Sequence, residues 1–328
     1  MIYGMRNLLV LFWLLVTSSS LIVAHADEPS KVTVGAYIND IQAIDLREHS
    51  YAVDIYIWFR WQDRQLSPHE SVEMVNPNEL WGHVSRALYD QPVEMSSGEL
   101  YQVIRVQGRF SRKFFFDNFP FDRQELVVVL EDSTAETNRL RYQADDSAIQ
   151  FNPELRLPGF RVFEPKIKIE DFCYPTSFGD TRRSEPGCYS RVTLSVPIRR
   201  PMLASSIKLL LPVFCVVFGA SLMLQLRVTY VDARLGVGIT ALLTVVAIQL
   251  ASNDTMPNVD YLVLMDKVHL CAYGYVLAGL AVVLATIGLT DRGQVDMAIR
   301  LQSRGLFVIS ALFLAIVASL IAIAIRTG

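Results

Sequence analysis

The stretch Val231–Asp254, VDARLGVGITALLTVVAIQLASND, is apolar enough to cross a bilayer, yet one helical stripe of it is not written for lipid. Steps of four and three residues from Asp232 reach Gly236, Thr240, Leu243, Ala247, Leu250 and Asp254, which a helix puts on one face. The stripe has an acid at each end, small or hydroxylated residues after the first acid, and leucines toward the middle. At about 1.5 Å rise per residue the two acids lie roughly 33 Å apart, about the thickness of a bilayer core. One helix cannot enclose a hole. Several copies around an axis would line one with this stripe, giving carboxylate rings at the mouths and an apolar constriction between them, as in ion pores. A packed membrane helix whose Gly and Thr serve helix contacts has the same pattern, so the stripe alone leaves both readings open.

The surrounding chain narrows the choice. Its 328 residues are 52% hydrophobic with a mean hydropathy of +0.30, too apolar for an ordinary soluble enzyme and unevenly so. A net charge of −3 supplies no basic tract for nucleic acid. There is no G-x-S-x-G and no H-E-x-x-H, and five histidines are few for a metal cluster, so neither an enzyme nor a cofactor is expected. Residues 1–26 read as a signal peptide: Arg6 in the n-region, Leu8 to Val16 as the apolar core, and Ala24-His25-Ala26 before the cleavage point. Residues 27–200 are then expected outside the cytoplasm. Cys173 and Cys188 lie in that exported part, where disulfides form, whereas Cys215 and Cys271 sit in apolar runs and are expected to be buried thiols.

Between Lys31 and Arg200 short alternating runs suit strands: Val32 to Val34, Tyr51 to Trp61, Tyr101 to Phe110, Glu125 to Leu130, Arg161 to Ile169 and Arg191 to Ile198. Turn residues split them, with no helical period between, which predicts an antiparallel β-sandwich. After Arg199-Arg200-Pro201 the composition changes to four apolar spans, about 202–226, 234–253, 262–289 and 305–325, within a membrane domain 201–328. Arg227 on one loop and Arg292, Arg300 and Arg304 on the other then face the cytoplasm. Pro212 is expected to bend the first span, Lys208 to snorkel to the outer interface, and Asp266 and His269 to be solvated near the surface.

Particular residues carry a resemblance. Phe119-Pro120-Phe121-Asp122-Arg123-Gln124 matches the F-P-F-D-x-Q signature of pentameric ligand-gated ion channels. Trp61-Gln62-Asp63-Arg64-Gln65-Leu66 resembles that family's W-x-D-x-R-L segment, and Ala233 to Thr240 followed by Leu243-Thr244 is similar to the pore helix of glycine receptors. The resemblance covers the whole mature chain in the right order. Arg112 and Leu126 stand where animal members carry the cysteines that close the F-P-F-D loop, and the third linker, Thr290 to Arg304, is short. Both departures resemble the bacterial branch, which implies a homopentamer in an inner membrane with its sandwich in the periplasm.

The resemblance implies a ligand- or proton-gated channel. Rings of Asp232 and Asp254 favour cations, Leu243 and Leu250 form the gate, and Gly236, Thr240 and Ala247 line the rest. Arg234, which matches the glycine receptors, either faces the pore and favours anions or points to the cytoplasmic headgroups. An anion channel of the same fold and a non-conducting membrane-anchored sandwich therefore stand as alternatives. Ligand is implied between neighbouring sandwiches. The hairpin Phe172 to Ser190 contributes Tyr174, Phe178 and Tyr189, with Trp81, Glu131 and Ser133 on its own side and Tyr56, Trp58 and Arg105 from the neighbour. The aromatics and Glu131 suit an amine agonist; exported carboxylates make protons the other trigger. By likeness to the glycine-receptor hairpin, Cys173 and Cys188 pair as a disulfide. Coupling to the pore is implied through Asp40, Phe119, Pro120, Asp122 and Arg199 against the outer loop that contains Pro257, with Phe119-Pro120 a candidate cis bond.

Overall fold

The structure is a computed structural model and describes residues 28–181, 186–253 and 259–327; the signal peptide read from residues 1–26, Asp254 and Pro257 lie outside the described residues. Eleven strands come first: β1 (Ser30–Asp45), β2 (Ser50–Trp61), β3 (Val72–Met74), β4 (Val84–Ala87), β5 (Val93–Glu94), β6 (Leu100–Ser111), β7 (Arg123–Asp132), β8 (Leu140–Phe151), β9 (Arg161–Val162), β10 (Lys166–Cys173) and β11 (Cys188–Arg199). They form two sheets, ordered β4-β6-β2-β1-β8 with β5 on β6, and β10-β11-β7-β3 with β9 on β11. The expected sandwich was to be antiparallel throughout, but β1 and β8 pair in parallel. Strand β8 was not among the expected runs, because its residues Leu140 to Phe151 interrupt the apolar alternation with Asp145-Asp146-Ser147. The run Arg161 to Ile169 divides into β9 and β10 around Pro165, which has no N–H to give a ladder.

Strand β2 explains why the sheets close. Tyr51, Val53, Ile55, Ile57, Phe59 and Trp61 alternate into the core, each at most 6% exposed, and burying each stabilises the fold by about 1.5–3 kcal/mol. The other face of β2 carries Asp54, Tyr56, Trp58 and Arg60. The Tyr51 hydroxyl donates to Val127 O at 2.6 Å and accepts from Val127 N at 2.7 Å, joining β2 to β7 in the opposite sheet. Burial pushes its pKa up to about 12, so the phenol stays neutral.

Among the described residues, four helices long and apolar enough to cross a membrane follow: α1 (Met202–Ser221), α2 (Val231–Asn253), α3 (Leu264–Asp291) and α4 (Val295–Thr327). A 3₁₀ turn, Leu222–Leu224, ends α1, and α1 runs on through Pro212. The fourth helix begins ten residues before the expected 305, since the polar segment Val295 to Arg304 is helical but too charged to read as a span. Burial departs from expectation as well. Cys215, expected to be buried, is exposed on α1, and Cys271 is only partly buried. His269 is fully buried in α3 with neither ring nitrogen hydrogen-bonded, where solvation was expected, because it shares a face with Met265, Val268 and Ala272.

Candidate functional site

The hairpin between β10 and β11 builds an aromatic cluster. Register pairs Cys173 with Cys188 and Phe172 with Tyr189, and the two cysteines form the expected disulfide, S–S 2.03 Å. Tyr174 sits 5.2 Å from Phe178 and 5.9 Å from Tyr189, ring centre to ring centre. Its hydroxyl donates to Glu131 on β7 at 2.9 Å. Burial, and then this bond to a carboxylate, raise the phenol's pKa. So three expected hairpin residues and Glu131 do come together.

One residue was missed, and it changes the chemistry. Arg191 on β11 donates to Glu131, an ion pair with side chains only 16% and 6% exposed. Its guanidinium lies 3.3 Å from the ring centre of Phe172 and 5.8 Å from that of Tyr174. The acid expected to receive a ligand amine is therefore already occupied by a cation of the same chain. The period of two from Tyr189 puts Arg191 on that face, and the signal was there to be read. The other two residues placed on this side stand apart from it. Ser133 is exposed and donates to Ser71 O at 2.8 Å. Trp81 lies beside β6 in the other sheet and is 87% exposed; its short 3₁₀ turn is anchored there, not on the hairpin.

Tyr56, Trp58 and Arg105 share the outer face of the first sheet. Arg105 stands opposite Tyr56 in the ladder, its guanidinium 5.3 Å from the ring centre. Two bonds of 2.9 and 2.7 Å tie it to Asp54, which also accepts from Asn39 at 2.7 Å. The Arg105 bonds hold the Asp54 carboxyl below its ordinary pKa. Trp58 donates to Asp145 on β8 at 2.9 Å. It lies flat over Gly35, where any Cβ would overlap the indole. This second group is on the opposite sheet from the hairpin cluster, so one chain does not bring the two groups together.

On α2 the stripe is open. Asp232, Gly236, Thr240, Leu243, Ala247 and Leu250 are all exposed, while Arg234, Gly238, Ala241 and Val245 are buried on the opposite face. Arg234 takes neither expected position. It is 0% exposed, donating to Met223 O at 2.9 Å and Thr286 Oγ1 at 3.0 Å. Met223 is held between helices that approach closely: a Cβ on Gly279 would overlap its thioether methyl, and one on Gly238 would lie 3.1 Å from its sulphur. The end of the bundle where α2 starts thus closes around a backbone carbonyl that the arginine caps.

The junction of sandwich and helices uses the loop after β6. Phe119-Pro120 is cis. Phe116 N donates to the Tyr261 hydroxyl at 2.9 Å, and Leu264 N to Asp117 O at 3.0 Å. Arg112 pairs with Glu125 at 3.3 Å and Leu126 is in the core. Asp122 is 4% exposed, faces Arg200 at only 3.7 Å, and burial raises its pKa against the pull of Gln124 and Arg200. Asp40 accepts from Ile41 N at 2.9 Å and Gln42 Nε2 at 2.6 Å. Arg199 ends β11, three residues before α1.

No family model matches the chain. Over 272 residues, 77% of the chain, it is 19% identical to the gamma-aminobutyric acid receptor subunit beta-4 of Gallus gallus, and it spans about half, 54%, of that relative's length. The chain is a distant homologue of that receptor subunit, with a β-sheet-rich N-terminal part followed by four membrane-spanning-capable helices.

Proposed function

We propose that the chain is one subunit of a ligand-gated ion channel, five copies of which surround a pore lined by the α2 stripe. The observation that carries this reading is the two-faced character of α2. Its packing face is turned into the chain's own bundle, while Asp232, Gly236, Thr240, Leu243, Ala247 and Leu250 are left open. A lipid-facing helix has no use for a carboxylate and a threonine on that side. The distant receptor homologue supports the same class.

Cation selectivity follows from which charge is open. Arg234 is withdrawn into the bundle and Asp232 is exposed at the start of α2, so the inner mouth is ringed by carboxylates. The channel sits in an inner membrane with its sandwich in the periplasm, and the stimulus acts where the hairpin of one copy meets the outer sheet face of the next. Both half-sites hold internally paired charges, Arg191 with Glu131 and Arg105 with Asp54. A stimulus must therefore rearrange one pair and favour the open state by doing so.

The test is current from purified protein in planar bilayers, scanned over pH and small ligands, with the reversal potential read in asymmetric salt. Leu243→Ser is expected to ease opening by wetting the constriction, and Asp232→Ala to move the reversal potential toward zero selectivity. Absence of current in both the natural chain and Leu243→Ser under all conditions overturns the reading.

A further inference from the structure

His49 closes the turn between β1 and β2 with a left-handed backbone, φ +52°, a conformation that few side chains adopt and histidine more readily than most. Asp45 Oδ1 shapes the turn, accepting from Arg47 N at 2.9 Å and Glu48 N at 3.1 Å. The His49 ring reaches the loop after β6. Its Nδ1 accepts from Phe114 N at 3.0 Å, and its centre lies 5.9 Å from that of Phe114 and 6.2 Å from that of Phe116. Arg112 N donates in turn to His49 O at 3.0 Å. A backbone N–H can only donate, so Nδ1 carries no proton in this arrangement and the imidazole is neutral, with its hydrogen on Nε2.

Among the described residues no other histidine is placed this way. His83 Nε2 faces Arg109 O at 3.3 Å, an oxygen that can only accept, so protonation leaves that bond intact. His69 stacks on Trp61 with its Nδ1 unpartnered, and neither nitrogen of His269 has a partner. At His49 a proton removes a bond. The imidazolium has a hydrogen on both nitrogens, Nδ1–H then points at Phe114 N–H, and an amide in a residue only 3% exposed loses its acceptor. The charged groups around the ring are Glu48 on its own turn, Lys113 on the loop, and Arg112, which Glu125 of β7 pairs. Burial, and then Lys113, hold the imidazole below its ordinary pKa of 6.5 against the pull of Glu48. The bond therefore persists above that lowered pKa and is lost as the pH falls through it.

What the bond holds is the segment that touches the helices. Two residues on from Phe114, Phe116 N donates to the Tyr261 hydroxyl, and Asp117 O accepts from Leu264 N at the start of α3. We infer that His49 is a proton-binding site: a proton taken from water onto Nδ1 frees this segment from the β1–β2 turn and so loosens its grip on α3. In the channel proposed above, acid then acts inside each chain, at a place separate from the face between copies. That consequence rests on the channel reading. The proton site and the release of the segment do not.

The experiment follows hydrogen exchange of the Phe114 amide by mass spectrometry in the detergent-solubilised full chain, from about pH 7.5 to about pH 5. After correction for the intrinsic pH dependence of exchange, protection is expected to fall about tenfold in acid, with a midpoint below 6.5. His49→Asn keeps an acceptor oxygen that does not titrate and tolerates the left-handed backbone, and its protection is expected to stay level. Should that variant fail to fold, Lys113→Gln, at an exposed position, is expected at low salt to bring release at about twofold lower proton concentration. No loss of protection in the natural chain, an equal loss in His49→Asn, or a midpoint unmoved by Lys113→Gln overturns the proton site. Acid-evoked current in bilayers reads the consequence: His49→Asn is expected to need about tenfold more protons for half-maximal opening. An unchanged requirement overturns the action on the helices. Absence of current in every chain overturns the channel reading and leaves the exchange result to decide the proton site.

Discussion

Arg191 and Asp122 are the two side chains whose surroundings say most about how the molecule responds to change. Removing one member of a buried ion pair leaves the other charged and unpaired, at a cost of about 3–5 kcal/mol. Arg191→Ala is therefore expected to lower the unfolding transition markedly, because Glu131, 5% exposed, keeps only the Tyr174 hydroxyl. An alkylguanidinium or alkylamine added to that variant should restore part of the loss by taking the vacated place, with no such effect on the natural chain. A transition unchanged by the substitution would mean that the pair contributes nothing. Asp122 carries the opposite sign. Burial raises its folded pKa above the ordinary 3.8, so between those values the folded state holds a proton that the unfolded state has lost. Its contribution to stability consequently rises as pH falls through the folded pKa and levels off below the ordinary value. Asp122→Asn removes that acid-side gain. Its transition temperature relative to the natural chain should fall as the pH is lowered toward the ordinary 3.8 and level off below it. Loss of the Arg200 contact adds only a constant offset, since that guanidinium stays charged throughout; a pH-independent difference would refute the assignment.

At the scale of elements, the helix α2 can be interrogated by its period. Single cysteines from Gly236 to Leu250 should react with water-borne thiol reagents at Gly236, Thr240, Leu243, Ala247 and Leu250, and stay silent at Gly238, Ala241 and Val245. Reactivity without that period would remove α2 from the pore wall. The natural Cys215, exposed on α1, is first replaced by serine so that it does not confuse the pattern. What was legible here followed from periodicity, in the common face of the stripe and the β2 alternation, whereas the pairing of Cys173 with Cys188 was implied by likeness to the glycine-receptor hairpin. Strand β8 and the first turns of α4 were not, because charged residues broke the apolar pattern while tertiary pairing and helix continuity held the backbone regular. The Arg191–Glu131 pair escaped the sequence for a related reason. Glu131 was named through the resemblance, but its partner Arg191 is 60 residues away in sequence, and only the pairing of β7 with β11 brings the two together.

For the whole molecule, the burial of Arg234 has a further outcome. In the channel proposed above, a guanidinium sealed behind the wall would still act on what passes, since its field is weakly screened by protein: at about 10 Å and an effective dielectric near 20 it amounts to roughly 1.7 kcal/mol. In a ring of five such chains, travelling cations would be drawn in by Asp232 and slowed moments later by the hidden positive layer, which sets throughput separately from sign. The same side chain also clasps the carbonyl of Met223 and the hydroxyl of Thr286. Tuning the electrical profile at that depth without loosening the helix ends therefore demands a replacement that keeps both donors, and no uncharged amino acid offers that fork.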